Sequence, residues 1–318
     1  MDARQLHPQR LNPKRLAAKM APLMRSTASA LKLPGMVRGF PVGQQAEIMC
    51  RIGSLEARLA RGPGEVKTAQ RLRYHVFYEE MAAIADAETL ATRRDVDAFD
   101  DICDHLLVID HDPASAIDGA FGRRKAPIIG TYRLLRQGVA DLNDGFYTAG
   151  EFDIQPVLDR HSALNFLELG RSCVEKPYRN KRTVELLWAG IWSYVKRHGV
   201  DVMIGCASFE GTDPDRLALP LSFLHHHASA PEEWRVSALP ERYVDMNRMP
   251  KEAVDMKAAL AQLPPLIKGY LRIGAFIGDG AIVDHQFGTT DVLVILPVSA
   301  INPRYISYYG PDAERRAA

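Results

Sequence analysis

The chain has 318 residues, 47% of them apolar, with 40 Lys and Arg against 39 Asp and Glu, so it can bury a substantial core and carries no overall electrostatic bias toward nucleic acid. Its four cysteines, Cys50, Cys103, Cys173 and Cys206, are scattered without a CxxC pair, which indicates neither a zinc ribbon nor a disulfide framework and suits a reducing cytoplasm. No apolar run approaches the roughly 20 residues of a spanning helix, and the N-terminus does not read as a signal peptide.

Residues 1–45 are expected to form a basic tail, either flexible or lying on a membrane surface. Residues 1–40 carry Arg4, Arg10, Lys14, Arg15, Lys19, Arg25, Lys32 and Arg38 against Asp2 alone. Between Pro13 and Leu33, the residues Leu16, Met20, Leu23, Met24 and Leu31 fall mostly on one helical face among these cations, which suits anionic lipid; a solvated tail is the equal alternative. Gly35 to Gln45 reads as a linker. A strand is expected over Ala46 to Leu59, then a helix over Glu65 to Met81 with Arg73 and Phe77 on one face. Asp97, Asp100, Asp101 and Asp104 make an acidic loop before the strand Leu106 to Ile109. In the next strand, Pro127 to Leu135, Gly130 marks a bulge or close backbone approach, and Arg133 is a charge that needs a partner.

The most informative stretch follows. Leu167 to Val174 reads as a strand carrying Glu168 and Arg171, and Pro177 turns the chain out of it. The polar turn Tyr178, Arg179, Asn180, Lys181, Arg182 leads into a helix with Val184, Leu187, Trp188, Ile191 and Val195 on its apolar face, ended by Gly199. The unpaired N–H groups at that helix start favour an anion, and the three cations of the turn add to the preference, so a phosphate is expected there. Beyond it come a helix near Asp213 to Phe223, strands near Trp234 to Val236, Gly274 to Val283 and Asp291 to Val298, and helical segments within Lys251 to Arg272. His225, His226 and His227 read as a helix end, and no metal site is expected. Cys173 and Cys206 read as small buried hydrophobes, Asp284 and His285 as a polar pair, and Lys268 with Arg272 as a solvated face or a surface for an acidic partner.

These pieces resemble the GNAT acyltransferase superfamily, which implies an α/β fold: a mixed, splayed central sheet flanked by helices. The family's turn fingerprint is Arg or Gln, two residues, Gly, one residue, Gly or Ala. Here the turn reads Arg179, Asn180, Lys181, Arg182, Thr183, Val184, without either glycine, and this broader cationic turn is compatible with the single phosphodiester of a phosphopantetheine arm. Arg73 and Phe77, Asp97 and Asp100, Arg133, Glu168 and Arg171 follow the order and spacing of acyl-homoserine-lactone synthases, although Ala83 stands near where those enzymes carry a tryptophan. The stretches RLRYHVFYEEM, FDDICDHLLVI, IIGTYRLL, FDIQPVL, LELGRSCV, LPPLIKGYLRIGA and DHQFGTTDVLVILPV look like the bacterial ornithine N-acyltransferases, often labelled haemolysin-like, over about residues 50 to 300.

The resemblance implies an acyltransferase domain over 46–300 with a C-terminal insertion, and a short tail over 301–318. It implies no bound cofactor. The donor substrate would be a 3-hydroxyacyl carrier protein with its phosphopantetheine arm, the acceptor L-ornithine, and the product lyso-ornithine lipid. Glu168 is the candidate to take the ammonium proton, with an ion pair to Arg171 or Arg133 as its structural alternative. Arg73, Phe77, Asp97, Asp100, Arg133 and Arg171 are the candidates for substrate contact, with a salt-bridge network among the charged members as the alternative. Arg179, Lys181 and Arg182 are the candidates for the phosphopantetheine phosphate. The expected location is cytoplasmic, with peripheral contact to an anionic inner membrane through the tail. The competing readings are an acyl-homoserine-lactone synthase using S-adenosylmethionine and a non-catalytic module that binds lipid or carrier protein.

Overall fold

The computed structural model describes residues 48–118, 124–302 and 305. The basic segment 1–45, with its amphipathic stretch and linker, lies outside the described residues, as does most of 301–318. Among the described residues ten strands run β1 Ile48–Ile52, β2 Leu55–Leu59, β3 Asp104–Asp110, β4 Ile117–Asp118, β5 Arg124–Lys125, β6 Ile128–Arg136, β7 Phe166–Val174, β8 Val202–Glu210, β9 Phe276–Asp284 and β10 Thr289–Pro297. The α-helices are α1 Pro63–Tyr74, α2 Ala87–Thr92, α3 Gln137–Ala140, α4 Gln155–Arg160, α5 Lys181–His198, α6 Ala218–His227, α7 Met256–Gln262 and α8 Pro265–Ile273. Among the described residues no helix is long and apolar enough to cross a membrane.

Eight strands form one mixed sheet in the order β1-β2-β3-β6-β7-β8-β10-β9, and β4 pairs with β5 apart from it. Every pairing in the large sheet is antiparallel except β7 with β8. That exception follows from the connection: an 18-residue helix, α5, carries the chain back to start β8 beside β7. The run Leu106, Leu107, Val108, Ile109 is buried throughout because β3 has helices on both faces. Leu106 and Val108 join the core under α5 with Leu186, Leu187, Ile191 and Val195, whereas Leu107 and Ile109 join Val66, Ala69, Leu72 and Val76 from the α1 side. Gly190 lets α5 lie close to the sheet, since a Cβ there would stand 3.1 Å from a Leu106 methyl.

Helix α5 begins with Asn180 accepting from the Thr183 N–H and ends at Gly199 in the left-handed conformation, as its sequence implies. Its buried face is rotated from the expected one, because Val184 is 48% exposed and Trp188 only partly covered. The stretch Ala46 to Leu59 is not one strand. Gly53, at φ 59°, turns the chain so that β1 and β2 pair as a hairpin. Helix α6 starts five residues later than expected, since Asp213 accepts from the Asp215 N–H and holds that segment in a turn. No strand forms at Trp234 to Val236: Glu232–Trp234 is a 3-10 turn, and the Trp234 ring stacks on His161 with centroids 3.9 Å apart. The helix expected over Glu65 to Met81 forms, but widens to π geometry over His75–Glu80, the part that carries Phe77.

Candidate active site

Strands β7 and β8 stay together for three residue pairs, Phe166 with Val202, Leu167 with Met203 and Glu168 with Ile204, and then part. Each continues on its other neighbour, β7 on β6 and β8 on β10, so the opening lies inside the sheet and not at its edge. Gly205 permits the close approach one residue past the last pair, because a Cβ there would sit 2.3 Å from the Leu169 carbonyl oxygen. The opening holds a cavity of about 440 Å³ lined by Gly170 to Val174 of β7, by Cys206, Ala207 and Ser208 of β8, and by Phe77, Tyr147, Thr148, Glu151 and Phe287.

Glu168 stands at the point of parting and lines the cavity while remaining buried. It pairs with neither Arg171 nor Arg133. Instead its two carboxylate oxygens accept the backbone N–H groups of Tyr147 at 3.0 Å and Thr148 at 2.6 Å. Burial pushes its pKa up, against the pull of those hydrogen bonds. The Thr148 hydroxyl adds to that pull, yet burial leaves the acid with an affinity for a proton above that of an ordinary glutamate.

A β-bulge sets the next cation. Between Thr131 and Arg133 of β6 the β7 partner advances by three residues, from Cys173 to Gly170, and Arg171 takes φ 49°. In an unbroken strand residues 168 and 171 would face opposite sides; here both line the cavity. The Arg171 guanidinium lies between the rings of Tyr147 and Phe287, 5.0 Å and 4.9 Å from their centroids, and contacts Asp97 at 3.1 Å and Asp95 at 3.3 Å. Arg133, also on the cavity wall, is held by Asp97 at 2.5 Å and Asp100 at 3.3 Å.

The other charged candidates form the support behind these two. Arg73 is 1% exposed and does not line the cavity. It grips Asp100 through two hydrogen bonds of 2.7 Å and lies 2.7 Å from Asp95. Burial alone would raise the Asp100 pKa, but the hydrogen bonds and charge of Arg73, with the charge of Arg133, hold it well below the usual range. Asp97 caps the 3-10 turn Ala98–Asp101 while meeting Arg133 and Arg171. Thus Glu168, Phe77, Arg133 and Arg171 reach the cavity, whereas Arg73, Asp97 and Asp100 act on it through the two arginines.

In the basic turn only Arg179 lines the cavity. Its Nε donates to the Val174 carbonyl and its Nη2 lies 2.5 Å from Glu80. Lys181 is on the surface beside Glu185 at 3.4 Å. Arg182 lies over the β1–β2 turn, where a Cβ on Gly53 would meet its Nη2 at 1.7 Å. The Asn180 cap also uses one N–H of the helix start that was expected to meet a phosphate.

Several cavity residues were not anticipated. Tyr147 and Thr148 supply the groups that hold Glu168, and Glu151 and Asp291 are buried acids on the wall. Asp291 is a charge inside an apolar strand, the same signal that singled out Arg133; the irregular segment before β7 gives no periodicity from which Glu151 could be picked. Asp95, the second partner of Arg73, is equally hidden in a loop. Cys206 is partly exposed, and its thiol donates to Glu151 Oε2 at 3.1 Å; burial keeps it protonated, as it does Cys173. Among the described residues two groups have the density of a metal site, His75 with Glu80 and Glu175, and Glu151 with Asp284 and Asp291. The first lies where Glu80 already pairs with Arg179.

A family model described as acetyltransferase (GNAT) domain matches residues 72–189, the stretch that carries Arg73, the acidic turn, β7 and the start of α5. An L-ornithine N(alpha)-acyltransferase of Agrobacterium fabrum (strain C58 / ATCC 33970) is 56% identical over 265 residues, covering 83% of this chain and 88% of its own length. One from Rhizobium meliloti (strain 1021) is 54% identical over 85% of this chain and 89% of its own, and one from Brucella abortus (strain 2308) 52% identical over 87% and 96%. Among solved structures, FeeM, an N-acyl amino acid synthase from uncultured soil microbes, aligns with a TM-score of 0.41 at 11% identity over 77% of this chain and 91% of that one, too loose a likeness to argue from. With identity above half sustained along most of both chains, this chain belongs to the family of L-ornithine N(alpha)-acyltransferases, enzymes of the GNAT type.

Proposed function

We propose that this enzyme transfers a 3-hydroxyacyl group from acyl carrier protein to the α-amine of L-ornithine, giving lyso-ornithine lipid. The observation that carries this reading is the position of Glu168, a buried acid fixed by main-chain N–H groups where β7 and β8 part and the cavity begins. The α-ammonium gives a proton to Glu168, and the freed nitrogen attacks the thioester carbonyl carbon. The C–N bond forms, the C–S bond breaks, and the second proton of the attacking nitrogen passes to the departing pantetheine sulfur, which leaves as a thiol. Arg171 and Arg133 face the cavity as partners for the substrate carboxylate, and their carboxylate supports hold the guanidinium planes for it.

Phe77, Val76, Met81, Val174 and Leu266 give the cavity an apolar side for the acyl chain. The phosphopantetheine phosphate is assigned to the Arg179 end, with Lys181 exposed beside it and Arg182 outside the cavity. The cationic composition of residues 1–45 suits an anionic membrane surface, where the product would remain.

The test is to supply the purified chain with L-ornithine and 3-hydroxyacyl carrier protein and to weigh the lipid-soluble product. The mass of N-acylated ornithine is expected. Lactone formed from S-adenosylmethionine, or binding of the carrier protein without turnover, would replace this reading with one of its two competitors.

A further inference from the structure

We propose that Glu151, Asp284 and Asp291 form the site for the δ-ammonium of the acceptor, and so make the enzyme select an amino acid with a cationic side chain. The proposal rests on the acylation of ornithine argued above. All three line the cavity, and one carboxylate oxygen from each lies within 4.8 Å of the other two. An ammonium about 2.9 Å from three tetrahedrally placed acceptors needs them about 4.7 Å apart.

Among the described residues Arg242 is the one cation paired with any of these three acids. Arg242 is 3.7 Å from Glu151, but it donates to the Gly150 carbonyl and does not line this cavity, which leaves three carboxylates facing one another across it. Asp291 is 7% exposed and its Oδ1 has no hydrogen-bond partner among the described residues. An unpaired carboxylate oxygen at that depth is unfavourable in the empty protein, and an ammonium donor relieves it. Burial, with the charges of Asp291 and Asp284 on Glu151 and of Asp284 on Asp291, raises the proton affinity of both, against the pull of the Cys206 thiol on Glu151 and of the Ser208 and Thr289 hydroxyls on Asp291.

The span fits as well. Glu168 is held by Tyr147 and Thr148 at the start of the 3-10 turn Tyr147–Gly150, and Glu151 ends the same turn. Three residues of 3-10 rise cover about 6 Å. The α- and δ-nitrogens of extended ornithine, joined through four carbons with bonds of about 1.5 Å, are separated by a similar distance. An ammonium also suits the site better than a divalent ion. Glu151 Oε2 is taken by the Cys206 thiol and Asp284 Oδ1 by the N–H groups of Gln286 and Phe287, so of the six carboxylate oxygens at most four remain, enough for the three N–H donors of an ammonium and short of the six or more oxygens that calcium or magnesium requires.

The experiment is calorimetric titration of L-ornithine and of L-norvaline, the same chain without the δ-amine, into the full chain with pantetheine present, followed by acyl-transfer kinetics with both acceptors. The wild type is expected to prefer ornithine by roughly a hundredfold or more. D291N and E151Q should each weaken ornithine binding at least tenfold while leaving norvaline unchanged, and the kinetic loss should fall on KM more than on kcat. D284N, whose side chain keeps its acceptor for the Gln286 and Phe287 N–H groups, gives a third reading if either buried variant fails to fold. Unchanged ornithine affinity in the folded variants, or equal affinity of the wild type for both acceptors, overturns the assignment. So does tight binding of Mg²⁺ or Ca²⁺ alone that D291N abolishes. A wild type that binds ornithine selectively but transfers no acyl group would keep this site and sink the reaction proposed above.

Discussion

The Thr148 backbone N–H meets Glu168 Oε1 at 2.6 Å, so the acid at the mouth of the parted strands is oriented by main chain and not by a flexible cation. A glutamine at 168 presents one oxygen and one N–H₂ group to two N–H donors, leaving a donor facing a donor. Glu168→Gln should lower kcat by about a hundredfold or more through loss of the proton acceptor. It should also lower stability by about 1 to 3 kcal/mol through the unsatisfied N–H. Steady-state rates and urea unfolding of the same preparation check both, and a full-rate variant removes Glu168 from the mechanism.

Arg73 makes no contact with the cavity, yet it neutralises Asp95 and Asp100 behind Arg133 and Arg171. Arg73→Met should destabilise the protein by about 3 to 5 kcal/mol, because two buried carboxylates lose their shared partner and keep only the longer contacts to Arg133 and Arg171. The Asp100 pKa in the folded protein lies below its ordinary 3.8, so its stabilising contribution is full above about pH 4 and disappears as pH falls through the folded value. Wild-type stability should therefore drop steeply below pH 4. Stability curves across pH 2 to 7 check this, and Arg73→Met should flatten that acid limb.

The three cations of the turn should separate cleanly. Arg179→Ala is expected to raise the KM for the acyl donor by about tenfold with little change in the KM for ornithine, since Arg179 alone of the three reaches the cavity. Arg182→Ala should leave the donor KM unaltered and instead loosen the β1–β2 turn that its guanidinium covers. Equal donor effects from both would place the phosphate outside the cavity, over the helix start.

This division shows what the sequence could and could not disclose. Strand β7, α5 and β8 were legible because apolar periodicity switches from two to 3.6 around Pro177 and Gly199. Arg133 was legible as a charge inside a strand. The bulge at Arg171 was not: Gly170 stands beside it, but the residue that takes the left-handed conformation is the arginine itself, against the usual preference. Nor could the turn reveal that Arg182 leans on Gly53, a contact across more than a hundred residues. Tyr147, Thr148 and Glu151 lie in a segment whose shape is set by Glu168 accepting its backbone N–H groups, so that shape exists only once β7 is in place.

Glu151 carries the remaining prediction, and it sets stability against binding. Burial, with the charge of Asp291 and more weakly of Asp284, raises its pKa from 4.5 to about 7, while the Cys206 thiol and Arg242 pull it down. Between those two values the folded protein keeps a proton that the unfolded chain has lost, so stability falls as pH rises from about 4.5 and the loss is complete above about 7. The gap corresponds to at most about 3 kcal/mol. Glu151→Gln should therefore be more stable than the wild type at pH 8 by up to about that amount, with little difference at pH 4.5. Ornithine binding should run the other way. Its δ-ammonium stays charged over this range, and it favours the ionised carboxylate, so wild-type affinity should climb by up to about tenfold between pH 6 and 8, a rise absent in Glu151→Gln. Unfolding and titration series at matched pH check the pair; a wild-type affinity flat across that interval would detach Glu151 from the acceptor. A residue whose removal steadies the fold and weakens the substrate is one kept for the substrate.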